Sequence, residues 1–142
     1  MDVSTRGFAC ACGAVRGTAR GEPDSITWCH CEDCRRGSGA PAFVWVGWKV
    51  DAIDDLAGRS KARTTKPGVT RMRCVDCGSL LGYSDEGLPG LVYVPLGLFD
   101  EPGEFVPTEH AYWPEHVSWL SVADGLPKRD ATTQERVARK GS

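Results

Sequence analysis

No stretch of the 142-residue sequence approaches the roughly 18 consecutive apolar residues that a membrane-spanning helix needs. Its first residues, MDVSTRGFACACG, have neither the basic start nor the apolar run of a secretory signal. Both absences lead to the expectation of a cytoplasmic protein without a membrane partner. A basic excess is missing too: 17 Lys and Arg stand against 19 Asp and Glu, a formal net charge of −2. Nucleic acid normally requires a basic stripe or face, so no nucleic-acid partner is expected. Near the cysteines, the closely spaced arginines are Arg35 with Arg36 and Arg71 with Arg73. There is no internal repeat beyond paired cysteines and no low-complexity stretch. An even cysteine count is also lacking. Seven thiols cannot pair completely, and in a reducing compartment they point to metal rather than to disulfides. If two zinc ions take all seven as thiolates, seven negative charges are added against four positive ones, and the formal charge moves from −2 to −5.

The length suits one domain, 5–130, followed by a polar tail, 131–142 (ATTQERVARKGS). Gly and Pro punctuate short apolar stretches rich in Val, Trp, Tyr and Phe, a mainly β pattern. Strands are expected at Ala14–Ala19, Ser25–Cys29, Ala42–Trp48, Ser60–Thr65, Val69–Arg73, Leu80–Ser84, Leu91–Leu96 and His110–Tyr112. Between them, Lys49–Ala57 spaces Val50, Ile53 and Leu56 three apart, which suits a short helix or a loop packed inward.

Cys10-Ala-Cys12 and Cys74-Val-Asp-Cys77 each supply a close pair followed by glycine, Gly13 and Gly78. In a metal knuckle the chain turns back so that backbone N–H groups face the sulfurs, and a residue without Cβ makes that turn with least strain. Two knuckles make a tetrahedral four-cysteine structural site, closing a loop of about sixty residues that restricts the unfolded chain. The rival reading, two redox pairs, calls for a thioredoxin-like helix start that neither pair has. Cys29, Cys31 and Cys34 remain, within the segment WCHCEDCRR at 28–36. Three thiolates leave one tetrahedral vertex of zinc open, as catalytic zinc requires. In an extended stretch Cys29 and Cys31 share a face while His30 points away. Two alternatives stay open: a closed site completed by His110, His116, Glu32 or Asp33, and a partition in which Cys34 joins Cys74 and Cys77. An open three-thiolate zinc is a soft acceptor that favours an incoming thiol as thiolate. Arg35, Arg36 and Ser38 are the candidate contacts for such a substrate.

Taken in order, Gly7-Phe-Ala-Cys-Ala-Cys-Gly-Ala-Val15, Cys29-His-Cys-Glu-Asp-Cys-Arg-Arg36 and Arg73-Cys-Val-Asp-Cys-Gly-Ser79 resemble the glutathione-dependent formaldehyde-activating enzyme family, also called the GFA or CENP-V/GFA domain. The resemblance continues through Pro107-Thr-Glu-His-Ala-Tyr-Trp113 and Asp124-Gly-Leu-Pro127. It implies a mainly β, Mss4-like fold of small antiparallel sheets organised around a structural zinc, shared with certain guanine-nucleotide-exchange proteins. It also implies two Zn2+ per chain: Cys10, Cys12, Cys74 and Cys77 match the structural ligands, and Cys29, Cys31 and Cys34 the catalytic ones. The implied activity is that of a carbon–sulfur lyase, forming or cleaving S-hydroxymethylglutathione or a related thiol adduct, with glutathione as co-substrate. His30 and Tyr93 are the candidates for its general acid. The stretch Gly37-Ser-Gly-Ala-Pro41 departs from the family in lacking further hydroxyl residues.

The partner expected is thus a small thiol, with self-association into a homo-oligomer left open. Against the enzyme stands a non-catalytic, zinc-stabilised binding module on the same fold. A methionine sulfoxide reductase of the B type would need a free redox cysteine, which the 29–34 cluster is poorly spaced to give. Trp45, Trp48, Trp113 and Trp119 are candidates for a cleft beside the metal, and Trp28 for its shield.

Overall fold

Strict alternation along two central strands decides where everything else sits. In β4 (Phe43–Lys49) and β9 (Leu91–Pro95), paired antiparallel with Val46 opposite Val94 and Gly47 opposite Tyr93, nearly every residue is buried. Successive side chains nevertheless go to opposite faces. Val46, Trp48, Val92 and Val94 enter one core with Phe8, Phe99 and Phe105. Trp45 and Tyr93 turn the other way and pack with Cys29, Cys34 and Leu88.

The computed structural model describes residues 4–54, 56 and 58–132. The remaining described strands are β1 (Thr5–Ala9), β2 (Arg16–Arg20), β3 (Ser25–Cys29), β5 (Ile53–Asp54), β6 (Ser60–Lys66), β7 (Val69–Cys74), β8 (Leu80–Asp85) and β10 (Glu109–Ala111). A small antiparallel sheet runs β1-β2-β5, and a seven-stranded sheet runs β10-β3-β4-β9-β8-β7-β6. All pairs are antiparallel except β10 with β3. A mainly β architecture of antiparallel sheets is therefore what the sequence folds into. No described helix is long and apolar enough to cross a membrane. The expected tail beyond Thr132, and Asp55 and Ala57 in the Lys49–Ala57 segment, lie outside the described residues.

Each of the eight expected strands overlaps an observed one, and the differences are local. Lys49–Ala57 is neither one helix nor one loop. A single 3-10 turn, Val50–Ala52, leads into β5, which adds a third strand to β2. β1 was not anticipated, because TRGFA buries just one residue fully, Phe8. Nor was α1 (Glu32–Ser38), seven residues between an N-cap at Cys31 and a left-handed C-cap at Gly39. Its signal was local: acidic Glu32 and Asp33 in the first turn, basic Arg35 and Arg36 in the last, then glycine.

A register shift between β7 and β8 sets Met72 opposite Gly82 and Arg73 opposite Leu80. Leu81 is thereby the extra residue. It is fully buried beneath Cys10, Val15 and Cys74, while Tyr83 keeps facing Trp45.

Within the small sheet both neighbouring strands crowd Gly17 of β2, where a Cβ would stand 2.5 Å from Phe8 Cζ of β1 and 2.7 Å from the Asp54 carbonyl oxygen of β5. Because one neighbour is backbone and the other a core ring, Gly17→Ala should lower stability by about 1–3 kcal/mol. Gly97→Ala, where a Cβ meets nothing within 4 Å, should stay near neutral. Denaturant unfolding of the two variants checks the contrast; equal midpoints would remove the close approach as a constraint.

Candidate metal centres

Two sulfur clusters form where the sequence spacing put them. Cys10, Cys12, Cys74 and Cys77 bring their sulfurs within 4.8 Å of one another, and Cys29, Cys31 and Cys34 do the same. Cys34 does not join Cys74 and Cys77. Among the described residues, no His, Asp or Glu ligand atom joins the three sulfurs of the second cluster.

The first cluster is built from two turns. The β1–β2 connection carries Cys10 and Cys12, with Gly13 at φ 80, while Cys74 ends β7 and the turn after it carries Cys77, with Gly78 at φ 78. The Val15 N–H donates to Cys10 Sγ at 3.3 Å, as a knuckle requires. Tetrahedral zinc with bonds near 2.3 Å sets its sulfurs about 3.8 Å apart. Cys10 and Cys12 are 3.7 Å apart, and Cys12 and Cys74 3.8 Å. Hydrogen bonds from the Ser79 hydroxyl and N–H hold the Cys77 thiol down to about 5. An all-sulfur tetrahedral donor set of this size fits zinc.

The second cluster sits where β3 ends and α1 begins. Cys29 and Cys31 approach to 3.4 Å. Cys31 caps α1, its sulfur accepting the Cys34 N–H at 3.2 Å, so the helix turn brings Cys34 back to the other two. The Trp45 indole N–H donates to Cys34 Sγ at 3.4 Å, and Arg71 Nη2 donates to it at 3.6 Å. In the three-thiol set, hydrogen bonds from Cys29 and Cys31 hold Cys34 lowest, down to about 2, with Arg71 and Trp45 adding to them against burial. Cys29 is pushed well up by its hydrogen bonds to Cys31 and Cys34 and by burial. The hydrogen bond with Cys29 lowers Cys31, but Cys34 and burial outweigh it and carry the thiol up to about 11. Within the cluster, negative charge is therefore favoured on Cys34.

Over this cluster lies a cavity of about 410 Å3. Thr27, Trp45, Tyr83 and Tyr93 line it, with Lys66 and Glu115 at its polar parts. Thr27 Oγ1 is buried without a hydrogen-bond partner. Tyr112, also in the lining, is the one described non-glycine residue with positive φ, at 55, where β10 has just ended. Of the expected tryptophans, Trp45 alone lines the cavity. Trp48 is in the opposite core, Trp113 stacks on His116 at 3.8 Å and Trp119 is 71% exposed. Trp28 does not shield the cluster; alternation puts it on the far face of β3, stacked on His110.

Arg35, Arg36 and Ser38 do not line the cavity, because α1 turns them away from Cys34. Arg36 pairs with Glu32 one turn earlier, and Ser38 Oγ accepts the Ala40 N–H. Sequence reasoning missed Arg71, 5% exposed, whose Nη2 also pairs with Asp33 at 2.9 Å and whose guanidinium lies over the Tyr83 ring. Gly37 permits this: a Cβ there would meet the guanidinium at 3.2 Å.

His30 points away from the sulfurs, as alternation requires. It is fully buried, and His30 Nε2 lies 2.8 Å from His110 Nδ1, while His110 Nε2 lies 3.0 Å from the Asp124 carboxylate. Asp124 accepts from His110 Nε2–H, which leaves His110 Nδ1 to accept from His30 Nε2–H. Burial, then the neighbouring histidines, lower His30 to about 4. The neutral ring is favoured on folding, so the stability it contributes is complete above pH 6.5 and is lost as pH falls towards 4.

NMR of labelled imidazoles should show His30 as the neutral Nε2–H tautomer down to pH about 4; titration near its ordinary value would dismiss the buried chain of three residues. Arg71→Met removes a charged donor from Cys34 and should weaken metal retention at the three-cysteine cluster about 10- to 100-fold in chelator competition, leaving the four-cysteine cluster loaded.

The sequence profile of the glutathione-dependent formaldehyde-activating enzyme family matches residues 5–115 of the chain. A crystal structure of a Rhodobacter sphaeroides protein superposes with a TM-score of 0.55 at 14% sequence identity, over 86% of this chain and 98% of that one, a likeness of fold. No curated protein matches the sequence. With the profile spanning both cysteine clusters and the strands that carry them, the chain belongs to the glutathione-dependent formaldehyde-activating enzyme family.

Proposed function

We propose that this chain is a zinc-dependent carbon–sulfur lyase, forming or cleaving S-hydroxymethylglutathione or a related thiol adduct. One observation carries the reading: three sulfurs converge without a fourth protein ligand among the described residues, facing a cavity within the roughly 300–1,000 Å3 range of small-molecule sites. Membership of the family supports the choice of glutathione and formaldehyde.

Zinc held by Cys29, Cys31 and Cys34 would supply a soft acceptor that lowers the pKa of an incoming thiol. The chain's own residues do the rest. Arg71 and Trp45 keep Cys34 ionised and in place. Trp45, Tyr83 and Leu88 exclude water from one side of the cavity. In the forming direction the substrate sulfur bonds to the aldehyde carbon, the carbonyl π pair moves to oxygen, and the proton lost by the thiol is matched by one gained there. Nothing is oxidised or reduced. Tyr93 lines the cavity and is the proton donor of this reading; His30, fully buried on the opposite face, is not. Lys66, already beside Asp33 at 3.4 Å, replaces Arg35 and Arg36 as the cation for a substrate carboxylate. Holding two reactants together supplies most of the rate gain.

The test is metal content with glutathione titration, on native protein and on Cys31→Ser. Two zinc ions per chain should fall to one, with activity lost and cooperative unfolding retained, and glutathione should perturb the native protein alone. Cys74→Ser should compromise folding itself. One zinc in both proteins with no glutathione response would favour the non-catalytic binding module, and equal unfolding of both variants would sink the division of roles.

A further inference from the structure

We propose that a second site, a cleft between α1 and the β6–β7 hairpin, binds a small diphosphate-bearing molecule. The cleft encloses about 590 Å3 and adjoins the cavity over the three cysteines, with Asp33 lining both. Among the described residues five cations line it, Arg36, Lys61, Arg63, Arg71 and Arg73, against a single carboxylate, Asp33. A chain with net charge −2 thus gathers nearly a third of its 17 basic residues at one place.

The register makes this costly without a ligand. Lys61 lies directly opposite Arg73, and Arg63 opposite Arg71, two cation–cation pairs in succession on one face of the hairpin. Like charges in directly opposed positions destabilise a sheet. Charges on an edge strand can serve to prevent edge-to-edge pairing, and β6 is such an edge. That purpose would be met by Lys61, Arg63 and Lys66 alone. It does not account for arginines facing them from β7, one strand inside the edge.

Neighbours neutralise these charges only in part, through Glu32 on Arg36 and Asp33 on Arg71. Among the described residues, neither Lys61 nor Arg63 forms an ion pair. Arg73 gives its donors to the carbonyl oxygens of Gly78 and Gly37, which carry no charge. Asp33 is already shared by Arg71 and Lys66. Arg71, 5% exposed, directs Nη2 to Asp33 and Cys34 but leaves Nη1 buried with no hydrogen-bond partner.

Guanidinium forks match tetrahedral oxyanions in pairs, and four or more cations in one cleft match more charge than a single carboxylate brings. Among the described residues, the lining contains no aromatic side chain on which a base could stack. Nucleic acid is further disfavoured by the acidic balance of the chain outside the cleft. Recognition therefore falls on the diphosphate group itself.

The experiment is isothermal titration of the metal-loaded full chain with inorganic pyrophosphate, and in parallel with a twelve-nucleotide single strand. Saturable binding of one pyrophosphate per chain is expected. The double substitution Lys61→Ala, Arg63→Ala should weaken it at least tenfold, with metal content unchanged because both side chains are exposed, and with a melting temperature no lower than the native one because two cation–cation pairs are relieved. Arg16→Ala, on the small sheet, should bind as the native protein does. Absence of saturable binding, or equal affinity in the double variant, overturns the proposal. Tighter binding of the oligonucleotide than of pyrophosphate overturns it in favour of a nucleic-acid surface.

Discussion

Three sulfurs held within 4.8 Å of one another in a largely buried corner cannot all be ionised unless a cation joins them. Much of the surrounding structure answers that constraint. The protein supplies one permanent cation, the Arg71 guanidinium, and one strong neutral donor, the Trp45 indole, and both reach Cys34. They support one negative charge. Hydrogen bonding within the set lowers Cys34 and, with burial, raises Cys29 and Cys31, so the thiols diverge in acidity. A divalent ion would replace the protons of Cys29 and Cys31, so affinity at this cluster must rise with pH until both thiols ionise readily.

Position on the strand assigns the roles. On β3, β4, β9 and β10, residues facing one way make the cavity: Thr27 and Cys29, Trp45, Tyr93, Ala111. Those facing the other way make either the inter-sheet core or the buried chain of His30, His110 and Asp124. Cys29 and His30 are neighbours in sequence and opposites in environment. The parallel pairing of β10 with β3 sets Ala111 beside Cys29 and His110 beside Trp28, so one short strand buttresses both faces.

Strands and cysteine partition were legible because each rests on short-range spacing: period-two burial in Phe43–Lys49, two knuckle glycines, and three cysteines within six positions. What was not legible depended on distance or on weak local signals. α1 is two turns long, and its caps are a cysteine and a glycine, so its residues read equally well as a loop. Without that helix, Arg35 and Arg36 looked adjacent to the metal, whereas helical geometry sends them outward. Arg71 is 37 residues from Cys34, and no local pattern couples them. One sign was present: Val69 and Arg71 occupy the same inward alternation of β7, and an arginine at a core position of a strand requires a buried partner.

β7 also makes the two metal centres unequal. It carries Arg71, which holds Cys34, and three residues later Cys74, a ligand candidate of the other cluster. Loss of order at the four-cysteine knuckles would free the end of β7 and the bulged Leu81 beneath it, and so displace the guanidinium on which Cys34 depends. The route back from the three-cysteine cluster runs through side chains, where α1 meets β7 at Asp33 with Arg71 and at the Gly37 carbonyl with Arg73. Its sulfurs lie at the end of β3 and on a two-turn helix, while Cys10, Cys12, Cys74 and Cys77 are tied to the β1–β2 hairpin and to β7. The four-cysteine centre, fixed to the backbone of β7, is thus a precondition for the charge environment of the three-cysteine one.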